Sequence, residues 1–237
     1  MLEVKIITLF PELFPGSLGC SIMGEALKKN IWSLEVFNLR DYATNKHKKV
    51  DDEPYGGGSG MVIQAEVIEQ AILAASNNKA EDYQIFYPSP RGTLLNQKKI
   101  VEFAKNDRMM FVPGRYEGLD QRIIDKYNFH EFSIGDYILS GGEIAVQVML
   151  DAVLRQLPGV LGNSSSLAEE SFTPDSAYAN LLEYPHYTRP ELWQGVKVPE
   201  ILRSGNHQKI AEWRLEQAKK ITRERRPDLW QKYKENN

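Results

Sequence analysis

The chain has 237 residues, 42% of them hydrophobic and 26% charged, a globular balance with core enough for one large domain or a main domain plus a small one. A formal net charge of −3 argues against a general nucleic-acid coat, and the single cysteine, Cys20, excludes an internal disulfide and a thiolate metal cluster. Four scattered histidines argue against a zinc site, and the lack of a signal peptide or a long apolar run points to a cytoplasmic protein with no membrane span.

In chain order, "EVKIITLF" (3–10) is a β-rich run stopped by Pro11, a first strand. "SIMGEALKKN" (21–30) has helical character, and "WSLEVFNL" (32–39) returns to strand. Residues 64–76 carry apolar side chains at helical spacing. "YQIFYP" (83–88) and "RMMFVPG" (108–114) are buried-strand candidates, with "NQKKIVEFAKN" (96–106) between them as a helix capped by asparagine. "GLDQRIIDKY" (118–127) and the long "GGEIAVQVMLDAVLRQL" (141–157), ended by Pro158 and Gly159, are further helices. Strands alternating with helices predict a mostly parallel α/β sheet.

Beyond it, "GVLGNSSSLAEESFTPDS" (159–176) is small, polar and acidic, and reads as a flexible linker. "EYPHYTRPELWQG" (183–195) is rich in aromatics and proline, and residues 207–230 form a helical C-terminal part with an apolar stripe of Ala211, Leu215, Ala218 and Ile221. Charge is uneven: residues 201–237 hold ten Lys and Arg against five Asp and Glu, whereas 161–200 hold two against six. Lys209, Arg214, Lys219, Lys220, Arg223, Arg225 and Arg226 form either a solvated helix face or a surface for nucleic-acid phosphates; their concentration at one end favours phosphates.

The glycine-rich segments separate on what precedes them. "PYGGGSGM" (54–61) has, in Gly56, Gly58 and Gly60, superficially the G-x-G-x-G of the common methyltransferase fold, but it follows the polar "KHKKVDDEP" rather than a hydrophobic strand, so that reading is rejected. It is expected to be a surface loop that orders around a ligand. "YPSPRG" (87–92), "VPGRYEGLD" (112–120) and "SIGDYILSGGE" (133–143) do follow strands, which places them at one edge of a parallel sheet. None has the phosphate lysine or the glycine spacing of an ATP, GTP or dinucleotide loop. Small turns flanked by Ile134, Tyr137, Ile138 and Leu139 suit a flat ring with an apolar tail, held by backbone groups. Adenosine carrying a sulfonium side chain fits that chemistry; simple structural turns are the alternative.

Taken together and in order, "PYGGGSGM", "SPRG", "GRYEGLDQRI", "SIGDYILSGGE", "LPGVLGN" and "YPHYTRP" resemble the bacterial tRNA (guanine-N1-)-methyltransferases, the TrmD family of the SPOUT superfamily. The resemblance runs from "ITLFPELF" to the basic C-terminal helix and covers essentially the whole chain. It implies a SPOUT-type α/β domain over 1–160 whose C-terminal part is threaded into a deep trefoil knot, a flexible linker over 161–176, and a small helical tRNA-binding domain over 177–237. It further implies a homodimer with active sites shared between subunits. The implied activity is transfer of the methyl of S-adenosyl-L-methionine to N1 of the guanosine immediately 3′ of the anticodon, supporting reading-frame maintenance. Assistance by Mg2+ cannot be read from the sequence.

Carried over by position, the methyl donor touches Tyr87, Pro88, Ser89 and Pro90 in the first loop, and Gly114 and Glu117 in the second. In the third loop it touches Ser133, Ile134, Gly135, Tyr137, Ile138 and Leu139, then Gly141 and Gly142. Glu117 adds a charge opposite to the donor's sulfonium or amino group. The resemblance assigns Arg155 to the charge on guanine O6 and Glu170 to the base that removes the N1 proton, with Glu169 as fallback. Glutamate stands at Glu170 where many members carry aspartate, and the acidic run could also be a solvated linker; Arg155 could simply complement a helix C-terminus. "TPDSAYAN" (173–180) stands as an apparent insertion. For tRNA, the candidates are Gly58 in the glycine loop, Arg189, His207 and Arg214. Tyr116 either packs near the pocket or belongs to the core. A non-catalytic RNA-binding protein, and an enzyme acting on rRNA or a ribose hydroxyl, are the competing readings.

Overall fold

A computed structural model describes residues 1–162, 170–174 and 176–235. They fall into two compact units, Met1–Gly162 and Asn163–Asn237.

The first unit is built on a five-stranded parallel sheet. Its strands are β1 (Leu2–Thr8), β2 (Trp32–Asn38), β5 (Gln84–Leu94), β6 (Arg108–Phe111) and β7 (His130–Ser133), in the order β2-β1-β6-β5-β7. A short antiparallel hairpin of β3 (Asp51–Asp52) and β4 (Val62–Ile63) lies apart from it. The helices are α1 (Ser21–Lys28), α2 (Ala65–Ala75), α3 (Gln97–Phe103), α4 (Gln121–Lys126) and α5 (Glu143–Leu154). Side chains alternate across each strand, so both faces are apolar and both are covered. Val4, Ile6, Phe86, Met109 and Phe111 pack with α5 residues Val146, Met149, Leu150 and Val153. Ile7, Ile85, Met110 and Val112 pack with Ile68 and Ile72 of α2 and with Ile123 and Ile124 of α4. The expected asparagine cap is present, the Asn96 side chain accepting from the Lys99 amide at 3.0 Å, and α4 starts later than the expected 118 because Asp120 caps it through the Arg122 amide at 2.9 Å.

One strand runs further than its sequence suggests. The run expected over 83–88 continues to Leu94, because Phe132 of β7 pairs first with Pro88 and again with Thr93, leaving 89–92 as an excursion. Gly92 makes this possible, since any Cβ there would overlap the backbone of Phe132. Leu95 closes the arrangement by donating to Ser133 O at 2.9 Å.

The second unit holds a small hairpin, β8 (Leu192–Trp193) with β9 (Val196–Lys197), and two helices, α6 (His207–Arg225) and α7 (Pro227–Glu235). The helix expected over 207–230 is therefore two, because Pro227 cannot continue α6 but suits the first position of α7. Its apolar stripe also shifts. Ala211 is exposed, while Ala218 and Thr222 are fully buried against Tyr178, Leu181 and Tyr184. The described end of the expected linker is turned chain rather than a free tether. Phe172 donates to Leu181 O at 3.1 Å, and Glu183 N donates to the Ser171 hydroxyl at 2.8 Å. The apparent insertion thus supplies Tyr178 to this core. Residues 163–169 of the linker lie outside the described residues.

Thr222 is the polar keystone of the second unit: its hydroxyl donates to Ala218 O at 2.7 Å and accepts from Leu182 N at 2.8 Å. Thr222→Val keeps the shape but strands the Leu182 amide, and is expected to cost about 1–3 kcal/mol. Urea unfolding followed by tryptophan fluorescence, with Trp213 and Trp230 in the same unit, measures it; an unchanged midpoint would refute it.

Candidate active site

Residues 87–90, where β5 makes its excursion, and the loops after β6 and β7 converge at the carboxyl edge of the sheet around a cavity of about 290 Å3, the low end of the size range of small-molecule sites. Every residue assigned by position to the methyl donor lines it. Tyr87, Pro88, Ser89 and Pro90 form one side, Gly114 and Glu117 a second. The third carries Ser133, Ile134 and Gly135, then Tyr137, Ile138 and Leu139, then Gly141 and Gly142.

Each wall is fixed locally. Ser133 Oγ donates to Gly135 O at 3.1 Å and accepts from Gly135 N at 3.2 Å, which sets the turn leaving β7. Tyr137 folds back, its hydroxyl donating to Ile134 O at 3.2 Å. Tyr87 is buried beneath the second loop; burial pushes its hydroxyl pKa up, and a hydrogen bond from the Leu119 backbone partly offsets this. The hydroxyl is therefore neutral at physiological pH and acts as a wall and hydrogen-bonding group. Gly142 lies where the chain passes between the other two loops. A Cβ there would come within 2.6 Å of Pro88 Cγ and 3.0 Å of Pro113. Its amide donates to Gly114 O at 3.0 Å, joining the third loop to the second.

The β3–β4 hairpin stands beside this cavity. Glu117 N donates to Met61 O, and Ile63 N to Gly118 O, both at 2.9 Å. The glycines at 56–60 join the two strands of a hairpin rather than following a buried strand, in keeping with the rejection of the G-x-G-x-G reading. Gly58 sits at its open tip, with no atom within 4 Å of where a Cβ would be.

Four lining side chains were not singled out for the cavity by sequence: Arg115, Phe132, Ser140 and Ala145. Arg115 had a signal, an arginine flanked by glycine and aromatic residues in "GRYEG", but its partner Glu143 is 28 positions away. Tyr116 also lines the cavity and is 54% exposed, which removes the core alternative.

The remaining candidates are not among the lining residues. Arg155 is the C-cap residue of α5, whose first turns reach the cavity; at 1.5 Å per residue it stands about 15 Å along the helix from Ala145. Glu170 belongs to the second unit, where its carbonyl accepts from the Thr173 hydroxyl at 3.0 Å. Glu169 lies outside the described residues. His207 opens α6 and is exposed, as is Arg189. Arg214 stacks on Tyr184, with 4.7 Å between its guanidinium carbon and the ring centre. Arg226, counted above with the basic groups of the C-terminal helix, is committed to a two-point ion pair with Asp228 at 2.9 and 2.7 Å, which pulls the Asp228 carboxyl down to about 2.

A parallel α/β sheet whose carboxyl edge carries a small cavity lined by glycine-rich turns, aromatic and apolar side chains, with no lysine among the lining residues, defines the class of protein. The family model described as tRNA (Guanine-1)-methyltransferase TrmD matches residues 2–232, and the chain belongs to that family. Proteins named tRNA (guanine-N(1)-)-methyltransferase are similar to it over nearly their whole length. That of Rickettsia akari is 50% identical over 229 residues, covering 97% of each chain. That of Pelagibacter ubique is 50% identical over 236 residues, covering 100% of each. That of Rhodospirillum rubrum is 50% identical over 232 residues, covering 98% of this chain and 94% of the relative.

Gly142→Ala tests the crossing. Overpacking there is expected to cost about 1–3 kcal/mol in denaturant unfolding, whereas Gly162→Ala, with open space around it, stays within about 0.5 kcal/mol of the parent. Equal effects of the two substitutions would refute the packing assignment.

Proposed function

We propose that this chain is a tRNA (guanine-N1-)-methyltransferase that moves the methyl group of S-adenosyl-L-methionine to N1 of the guanosine immediately 3′ of the anticodon. The observation that carries the reading is the convergence of three small, apolar loops on one cavity at the sheet's carboxyl edge. Its walls fit the donor: backbone amides and carbonyls for a nucleoside, apolar contact from Ile134 and Leu139, and Glu117 opposite a cationic group. The donor, when bound, supplies an electrophilic methyl. The protein then orients guanine for in-line attack, removes the N1 proton and steadies charge on O6.

Glu170 is the base and Arg155 the guanidinium directed at O6. Because α5 carries Arg155 away from its own chain's cavity, the arginine serves the cavity of a second copy. Ile144 and Val148, one turn apart on α5 and 58% and 48% exposed, give that copy an apolar strip to cover and support a homodimer. The chain leaving β7, at the sheet's edge, crosses the end of β5 to pack between Pro88 and Pro113, a course that supports the deep trefoil knot.

The β3–β4 hairpin, with Gly58 at its tip, closes over the flipped guanine, and the second unit binds tRNA phosphates through α6, with Arg189, His207 and Arg214 contributing. No helix among the described residues is long and apolar enough to cross a membrane, and a cytoplasmic location fits a tRNA substrate.

The deciding assay is methyl transfer to unmodified tRNA, with a control tRNA in which the guanosine 3′ of the anticodon is adenosine; transfer to the control, or none to either, overturns the reading. Glu170→Gln is expected to lower turnover by at least about 100-fold while donor binding by calorimetry is retained. Normal turnover would move the base to Glu169. The pair Lys220→Glu and Arg223→Glu is expected to weaken tRNA binding and reduce the slope of log affinity against log salt by about 2. An unchanged slope would remove α6 as the phosphate contact.

A further inference from the structure

One part of the cavity wall belongs to a charged network that the reaction itself does not use. Glu143, the first residue of α5, is only 1% exposed. One of its carboxylate oxygens accepts from Arg115 Nε at 2.9 Å, and the other accepts from the Thr8 hydroxyl at 2.9 Å. The Thr8 hydroxyl oxygen also accepts from Phe10 N at 3.0 Å. Arg115 in turn donates through Nη1 to Ser140 O at 3.2 Å, and its guanidinium lies over the Phe10 ring with 4.3 Å from its carbon to the ring centre. Three segments that are distant in sequence, the end of β1, the loop after β6 and the loop after β7, are thereby joined at one point.

We propose that the Arg115–Glu143 pair is a clip that sets the width of the donor slot, with Thr8 positioning Glu143; the inference rests on the methyl-donor reading of the cavity. Two features favour positioning over plain stability. A buried ion pair is seldom more stabilising than apolar packing of the same volume, so its place against the slot wall calls for a geometric role. The pair is also neutral. An arginine on the wall without Glu143 would repel a cationic ligand, whereas the paired arginine lends fixed hydrogen-bond donors and leaves Glu117 to set the sign of the site. The clip works with the Gly142–Gly114 backbone bond, so the second and third loops are held at two points rather than one.

The test is calorimetric binding of S-adenosyl-L-methionine together with steady-state kinetics for donor and tRNA, on the full chain, with thermal melts alongside. Glu143→Gln keeps the shape and loses the charge, and is expected to raise Kd and KM for the donor by about tenfold or more while KM for tRNA is unchanged. Thr8→Val does not touch the cavity and is expected to move donor KM the same way by a smaller factor. Arg115→Lys, which retains the charge but not the fork, is expected to fall between Glu143→Gln and the parent. Wild-type donor affinity in folded Glu143→Gln and Thr8→Val overturns the clip, and so does an equal loss for both substrates that tracks the melting temperature. Failure of the parent protein to bind the donor overturns the donor reading instead. Thr8→Val, the mildest change, keeps the proposal testable if Glu143→Gln does not fold.

Discussion

The close approach of Gly142 to Pro88 and Pro113 governs how the first unit is put together. The strand order puts β7 at the sheet's edge and β6 two positions inward, with β5 between them. Chain leaving β7 must pass over the end of β5 to reach β6, and only backbone fits through the space that remains. Once Gly142 is there, Glu143 follows directly as the first residue of α5 and falls beside Arg115. The helix then runs back over the sheet, burying Val146, Met149, Leu150 and Val153, each worth about 1.5–3 kcal/mol on full burial. The tightest contact and the largest apolar reward are consecutive in the chain, so each holds the other in place.

The same crossing helps to fix the walls of the cavity. Its loops are held by Ser133, by the Gly142–Gly114 bond and by the Arg115–Glu143 pair. Amides and carbonyls fixed in this way lose little freedom when they meet a ligand, which keeps the ordering cost of binding low. Only Arg115 and Glu117 bring formal charge to the lining, and the first of these is neutralised by its partner.

Much of this was legible in the sequence because parallel strands covered on both faces read as continuous apolar runs. "KIIT", "QIFY" and "RMMF" could be placed without ambiguity, and the loops that follow the second and third carry the small residues of the cavity. What escaped reading was set by tertiary pairing. Nothing near Leu94 announces that β5 resumes after 89–92, since the cause is Phe132 pairing twice. Arg115 and Glu143 complement each other only after the fold has closed 28 positions of chain. The break between α6 and α7 was different: Pro227 marked it plainly, and helical periodicity on either side masked it. In the same helix Thr222 is polar and so falls outside an apolar pattern, although its hydroxyl is satisfied within the core.

The length of α5 carries the last step. A 12-residue helix is a rod of about 18 Å, and its two ends have different chemistry. The first turn forms part of the cavity wall; the C-cap, Arg155, stands where no lining residue of that cavity does. No rotamer of one arginine spans such a distance, so a role for Arg155 at guanine O6 requires a second chain to bring its own helix end to the slot. The exposed Ile144 and Val148 lie between those ends, on the face that such a contact would cover. The rigidity of α5 therefore keeps Arg155 away from its own chain's cavity, and the proposed role of the arginine stands or falls with the association of two chains.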